Sequence, residues 1–195
     1  MEVERLLETC PWHKVYDIAE EIWQSLEYKG PDQEYRDVYA SELNRLFDER
    51  GIGWEFSDDQ GIIFRGDETF GELTAGAEQV LAEDGRSNAA EHVRQALRDL
   101  SARPADLTGA IHHAASALEA TARDVMGENN LTLGQLVNSL GLPKPLDEAT
   151  TKLWGYASNN ARHGVEGVEI IPEDAQLVVE ISCALSAYLA RRAKQ

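Results

Sequence analysis

A mainly α-helical fold is what the 195 residues predict: a helical bundle preceded by an N-terminal helical region that carries one small β-hairpin. Three observations lead there. Apolar residues recur at helical spacing over most of the chain, and Gly or Pro punctuates most of the transitions. One segment alone places aromatic and β-branched residues on either side of an Asp/Gly turn.

Taken in order, a short helix is expected up to about Thr9, and Pro11 breaks it. From Trp12, the residues Val15, Ile18, Ala19, Ile22, Trp23 and Leu26 follow a helical period. Gly30-Pro31 stops that helix, and Pro31 suits the first turn of the next. Its buried side should hold Tyr35, Val38, Tyr39, Leu43, Leu46 and Phe47, and Gly51 ends it. Gly53-Trp54-Glu55-Phe56-Ser57 and Ile62-Ile63-Phe64-Arg65-Gly66 then flank the turn residues Asp58-Asp59-Gln60-Gly61, a hairpin near residues 53–65. Two strands alone are marginal, so the hairpin should lie against helices.

A weaker helix is expected over about Asp67–Asp84, diluted by Gly71 and Gly76. Another over about Ser87–Ala102 turns Ala89, Val93, Ala96, Leu97 and Leu100 inward. Pro104 separates it from the Ala-rich stretch Ala105–Met126. Leu131–Leu140 reads as a short helix and Gly141–Pro145 as a rigid connector. A helix from Leu146 to about Asn160 follows, and the last one opens on Pro172, Glu173 and Asp174. Apolar on most sides, that last helix belongs centrally in a bundle or under a subunit contact. The division drawn from these signals is residues 1–86 and 87–195.

Charge narrows the chemistry. Net charge is −17, with 24 acidic against 10 basic residues in 1–100 and 11 against 8 in 101–195. Such a surface repels nucleic acid as a whole, so chemistry on RNA needs a small local cationic site or a partner's basic surface. The acidic half is chiefly a solvated face that can also dock a basic protein partner. No apolar run approaches the roughly 18 residues of a membrane span, and the start lacks the pattern of a signal peptide. Cys10 and Cys183 stand far apart, in no metal-ligand spacing. A cytoplasmic protein with reduced thiols, no metal and no cofactor is therefore expected.

Two clusters carry the candidate chemistry. In the Ala-rich helix, His112, Ser116, Glu119 and Arg123 recur at steps of four, three and four, which stacks them into one polar column. The segment Leu153–Gly164 holds Ser158, Asn159 and Asn160 and ends on Arg162-His163-Gly164. Histidine moves a proton near neutral pH, and arginine holds charge on phosphoryl oxygens in fork geometry. The plainer readings are a solvated helix face for the column, and dipole-complementing cations before a capping glycine for the second cluster. If the two helices pack antiparallel, Glu119 can orient His163 or brace Arg162.

Ordered landmarks over the second half give a resemblance. Ala96–Ser101, His112–Ala120, Leu131–Gly134, Leu153–Ser158, Arg162-His163-Gly164 and Asp174-Ala175 together make the chain similar to an abortive-infection protein of the HEPN superfamily, closest to the bacterial AbiJ type. The similarity covers about residues 90–192, and extends more loosely to Val15–Glu20 and Glu42-Leu43-Asn44. It implies a HEPN-like helical bundle that homodimerises and places two Arg/His motifs in one cleft. In active members that cleft is a metal-independent endoribonuclease, commonly a toxin in anti-phage defence. By position His163 is the motif histidine, but no arginine stands four to six residues before it; Arg162 is adjacent instead. Glu119 and Arg123 match an acid-x3-base pattern on the earlier helix.

Two function classes follow. One is a ribonuclease giving 2′,3′-cyclic phosphate ends, with His163, Arg162, Glu119 and Arg123 catalytic and Ser158, Asn159, Asn160 and His112 holding substrate. The other is a catalytically inactive HEPN-like module that dimerises and binds a partner within a defence complex.

Overall fold

The computed structural model describes residues 9–26, 33–59, 61–163 and 170–194, with the backbone alone at 33, 34 and 160–163. The expected helix before Thr9 and the placement of Pro31 lie outside these residues. The predicted class is what is found: helices throughout, and among the described residues one two-stranded antiparallel sheet. Helices run over Trp12–Leu26 (α1) and Gln33–Glu49 (α2). The strands are Trp54–Ser57 (β1) and Gly61–Phe64 (β2), followed by Glu68–Glu83 (α3), Ser87–Ser101 (α4) and Leu107–Met126 (α5). Leu133–Leu136 (α6) runs into a 3-10 turn at Val137–Ser139, and Leu146–His163 (α7) and Pro172–Arg192 (α8) complete the chain.

The chain divides into two compact units, Met1–Asp67 and Glu68–Gln195. The sequence-based division at residue 86 grouped α3 with the N-terminal region. In the structure α3 packs on α4 and α8 instead, within the second unit.

In the first unit, Trp54 pairs with Phe64 and Phe56 with Ile62 across the hairpin. Phe47, Phe56 and Ile62 are buried, with Tyr16, Trp23, Leu43 and Trp54 packed around them. Polar ties fix the hairpin to both helices. The Ile62 N–H donates to Glu20 Oε1 of α1 at 2.6 Å. Asn44 of α2 accepts from the Phe56 N–H at 2.6 Å and donates through Nδ2 to the Phe56 carbonyl at 3.0 Å. The side chain thus substitutes for a neighbouring strand along the outer edge of β1.

The expected buried side of α2 needs correction. Tyr39 and Leu43 are partly buried and Phe47 is buried, but Tyr35, Val38 and Leu46 are exposed at 66%, 54% and 44%. Ile22 of α1 is likewise exposed. A unit of this size covers only one stripe of each helix, so the apolar pattern is wider than the face that finds a partner.

In the second unit, α5 is the central element, packed on α4, α8 and α7. Alanines make the close approaches possible: Ala110, Ala114, Ala117 and Ala122 of α5 are all buried, as are Ala175, Ala187 and Ala190 of α8. Asp106 caps α5 by accepting from the Gly109 N–H at 2.8 Å, and Gly127 ends it with a positive φ of 67°. A leucine cluster of Leu118, Leu133, Leu136, Leu140 and Leu189 closes the side where α6 and its 3-10 turn dock. The last helix bears out its apolar pattern on two faces. One is buried through Val178, Val179 and Cys183, whose thiol burial pushes up to about 12. The other carries Leu177, Ile181 and Tyr188, exposed at 53%, 37% and 41%.

Replacing Asn44 by alanine should leave the Phe56 N–H and carbonyl without their protein partner. The expected loss is about 1–3 kcal/mol in urea unfolding of the first unit, from the cost of unsatisfied buried polar groups. Asn44→Asp, which keeps an acceptor but no donor, should fall between wild type and alanine.

Candidate functional site

The polar column predicted on the Ala-rich helix exists. His112 is exposed, while Ser116, Glu119 and Arg123 are partly buried along one side of α5. They line a cleft of about 300 Å³. Thr132, at the start of α6, and Trp154, Ala157 and Ser158, on α7, supply the facing walls. An imidazole, a guanidinium, three hydroxyls and an indole thus border one space of small-ligand size.

What holds the cleft in shape is the i, i+4 pair. Glu119 Oε1 meets Arg123 Nη2 at 2.7 Å. Glu119 Oε2 accepts from the Leu133 N–H at 2.8 Å. Arg123 Nε donates to the Leu131 carbonyl at 2.7 Å. An exposed pair of this spacing contributes only a few tenths of a kcal/mol. Here both partners also satisfy backbone groups of the turn that enters α6, one of them an amide in the first turn of a helix, which has no partner within its own helix. Glu119 and Arg123 are therefore a clamp on residues 131–133. Arg123 Nη1 makes no hydrogen bond among the described residues.

The clamp sets two further contacts. Thr132 and Gln135 form a reciprocal capping box at the start of α6, with the Thr132 N–H donating to Gln135 Oε1 at 2.9 Å. Gly134 lies under the Trp154 ring: a Cβ there would come within 3.1 Å of Trp154 Cζ3. A side chain at this position would require the Trp154 ring to give way by a few tenths of an ångström. The sequence carries a signal for the first device, a Thr-x-x-Gln at a helix start. Nothing in it paired Gly134 with Trp154.

Of the other sequence candidates, Ser158 is brought to the cleft, and Asn159 is exposed. The backbone of α7 continues through Asn160, Arg162 and His163. Their side chains lie outside the described residues, as does the expected approach of Arg162 and His163 to Glu119. Among the described residues, no group of three or more His, Cys, Asp and Glu is placed to hold a metal ion, and no helix is long and apolar enough to cross a membrane.

Residues 1–79 match the family model of AbiJ N-terminal domain 4. The match supports an AbiJ-type abortive-infection protein. It spans the first unit and much of α3; the HEPN resemblance rests on residues beyond it. No curated protein and no solved structure matches the chain.

Glu119→Ala and Arg123→Ala should each destabilise the second unit by about 1–3 kcal/mol, because each leaves a backbone group of the 131–133 turn unpaired. The double variant should lose less than the sum, since both side chains act on one segment. A urea double-mutant cycle that is strictly additive would remove the clamp. Gly134→Val should displace Trp154, seen as a shifted indole emission.

Proposed function

We propose that this protein is an effector of a bacterial anti-phage, abortive-infection system, and that its second unit acts on RNA as a metal-independent endoribonuclease. The observation that carries the chemical part is the cleft: Arg123, His112, Ser116, Thr132 and Ser158 border one space beside Trp154. That set suits a phosphodiester with its sugar and base, offering donors to phosphate oxygens and an aromatic face to a base. The defence role is supported by the AbiJ-type N-terminal match.

In this reading His163 takes the proton of the ribose 2′-hydroxyl as its oxygen attacks phosphorus. The bond to the 5′-oxygen breaks, that oxygen takes a proton from water, and a 2′,3′-cyclic phosphate remains. Arg162 and Arg123 stabilise the charge that builds on the phosphoryl oxygens. Asn159, Asn160, Ser158 and His112 hold the phosphate. Glu119 acts through Arg123 and is a positioning residue.

A second copy completes the proposal. Leu177, Ile181 and Tyr188 form a stripe at helical spacing on α8, with exposed Ala184 between them. Burying such a stripe in a homodimer removes it from water without requiring a different partner.

The alternative is a HEPN-like binding module without cleavage. Two observations favour it: Glu119 and Arg123 already serve the 131–133 turn, and no arginine stands four to six residues before His163.

Purified protein in EDTA should cleave single-stranded RNA to 2′,3′-cyclic ends. His163→Ala should reduce the rate by at least about a hundredfold, the low end for loss of a general acid–base group, with an unchanged melting temperature. Intact RNA in the wild-type reaction would leave the binding module as the function. Leu177→Glu with Ile181→Glu should convert a dimer to a monomer in light scattering; a wild-type monomer at micromolar concentration would remove the dimer.

A further inference from the structure

Away from the cleft mouth, α4 and α5 meet through three titratable side chains that the proposed chemistry does not use. His92 of α4 and His113 of α5 stack at 28°, with ring centroids 5.5 Å apart and their Nδ1 atoms 3.3 Å apart. The other nitrogen of His113, Nε2, lies 3.8 Å from Asp99 Oδ2. That oxygen is buried, has no hydrogen-bond partner among the described residues, and sits so close over Gly109 that a Cβ there would reach it at 2.7 Å. Two Nδ1 atoms can share a hydrogen bond only when one carries the proton and the other does not. In one neutral arrangement His92 donates from Nδ1, His113 accepts at Nδ1, and His113 Nε2 faces Asp99 Oδ2 across 3.8 Å, too far for a hydrogen bond.

We propose that His92, His113 and Asp99 form a single-proton latch between α4 and α5: the two Nδ1 atoms hold one proton between them, and a second parts the rings. The first proton between the Nδ1 atoms is the shared hydrogen bond itself, with His113 Nε2 facing the Asp99 carboxylate across 3.8 Å. The second makes both Nδ1 atoms donors, and two cations then face each other with no acceptor between them.

The surrounding charges agree. Burial first, and then the charges of His113 and His112, hold His92 below the ordinary imidazole range; Glu91 on the same helix opposes this. Glu91 is itself held by Arg94 and Arg98. Asp99 is raised, first by burial and then by Asp106, against the opposing charges of His113, Arg98 and His112. The sign follows. A histidine depressed in the folded state binds fewer protons there than when unfolded, so its contribution is present above the unfolded value near 6.5 and is lost as pH falls through the folded value. Asp99 has the opposite sense and acts from the ordinary carboxylate range upward.

The latch goes beyond the ribonuclease reading and does not rest on it. It does adjoin the cleft, because the His112 ring packs edge-on against His113 at 5.3 Å. Acidification is thus sensed one side chain behind the column.

Nitrogen-detected NMR titration of the full chain from pH 8 to 5 reads the latch directly. His92 should titrate below the ordinary imidazole range, with a coupling across the two Nδ1 atoms that share the proton. A His92 ring that titrates in the ordinary range, or that shows no such coupling, would overturn the proposal. In thermal melts, the wild-type midpoint should fall by about 2–4 °C between pH 7.5 and 5.5, the shift that about 1 kcal/mol produces in a chain of this size. His92→Asn, which keeps a neutral amide near the Nδ1 position, should flatten that slope, and His13→Asn should not. An unchanged slope in His92→Asn would also overturn it.

Discussion

Glu119 and Arg123, one helical turn apart on α5, hold the segment that leads into α6, and the cleft takes its shape from that contact. Glu119 accepts from the Leu133 amide while Arg123 donates to the Leu131 carbonyl. The ion pair between them, at 2.7 Å, fixes the spacing of the two grips. Remove either and a backbone group that folding took from water loses its partner, which costs more than the ion pair alone contributes. With the turn held, Thr132 faces the cleft and Gly134 receives the Trp154 ring. The leucines of α6 then complete the core against Leu118 and Leu189.

This arrangement gives Glu119 and Arg123 a structural task that any chemical role has to share. Arg123 can do so because Nε and Nη2 are occupied by the clamp while Nη1 is not. A guanidinium with two nitrogens anchored is oriented before substrate arrives, which lowers the cost of ordering it on binding. Glu119 has one oxygen on Leu133 and the other on Arg123. Its influence on a ligand passes through Arg123.

The sequence made the column legible because spacing along a helix is geometry: steps of four, three and four must share a side. The hairpin was legible for a similar reason, with aromatic flanks around an Asp/Gly turn and a register that pairs Trp54 with Phe64. The clamp was not. Its acceptor and donor on residues 131 and 133 are backbone groups, carried by every residue, and only the turn past Gly127 brings them to α5. The outward placement of Tyr35, Val38 and Leu46 was hidden too, because periodicity reports how apolar a face is and not how much of it finds a neighbour. Asn44 showed the reverse: a polar residue on a helix whose value lies in two hydrogen bonds to a strand ten or more positions away.

The cleft rests on the clamp, and the Leu133 amide reports whether that clamp is closed. Leu133 is the first residue of α6, where an amide has no acceptor within its own helix, and its protein acceptor is the Glu119 carboxylate. Residue-resolved hydrogen exchange should find Leu133 protected in the wild-type chain. In Glu119→Ala that protection should fall by about tenfold or more, while amides in the middle of α5 keep theirs. A Leu133 amide that exchanges freely in the wild type, or one that stays protected in Glu119→Ala, would contradict the clamp and the cleft built on it.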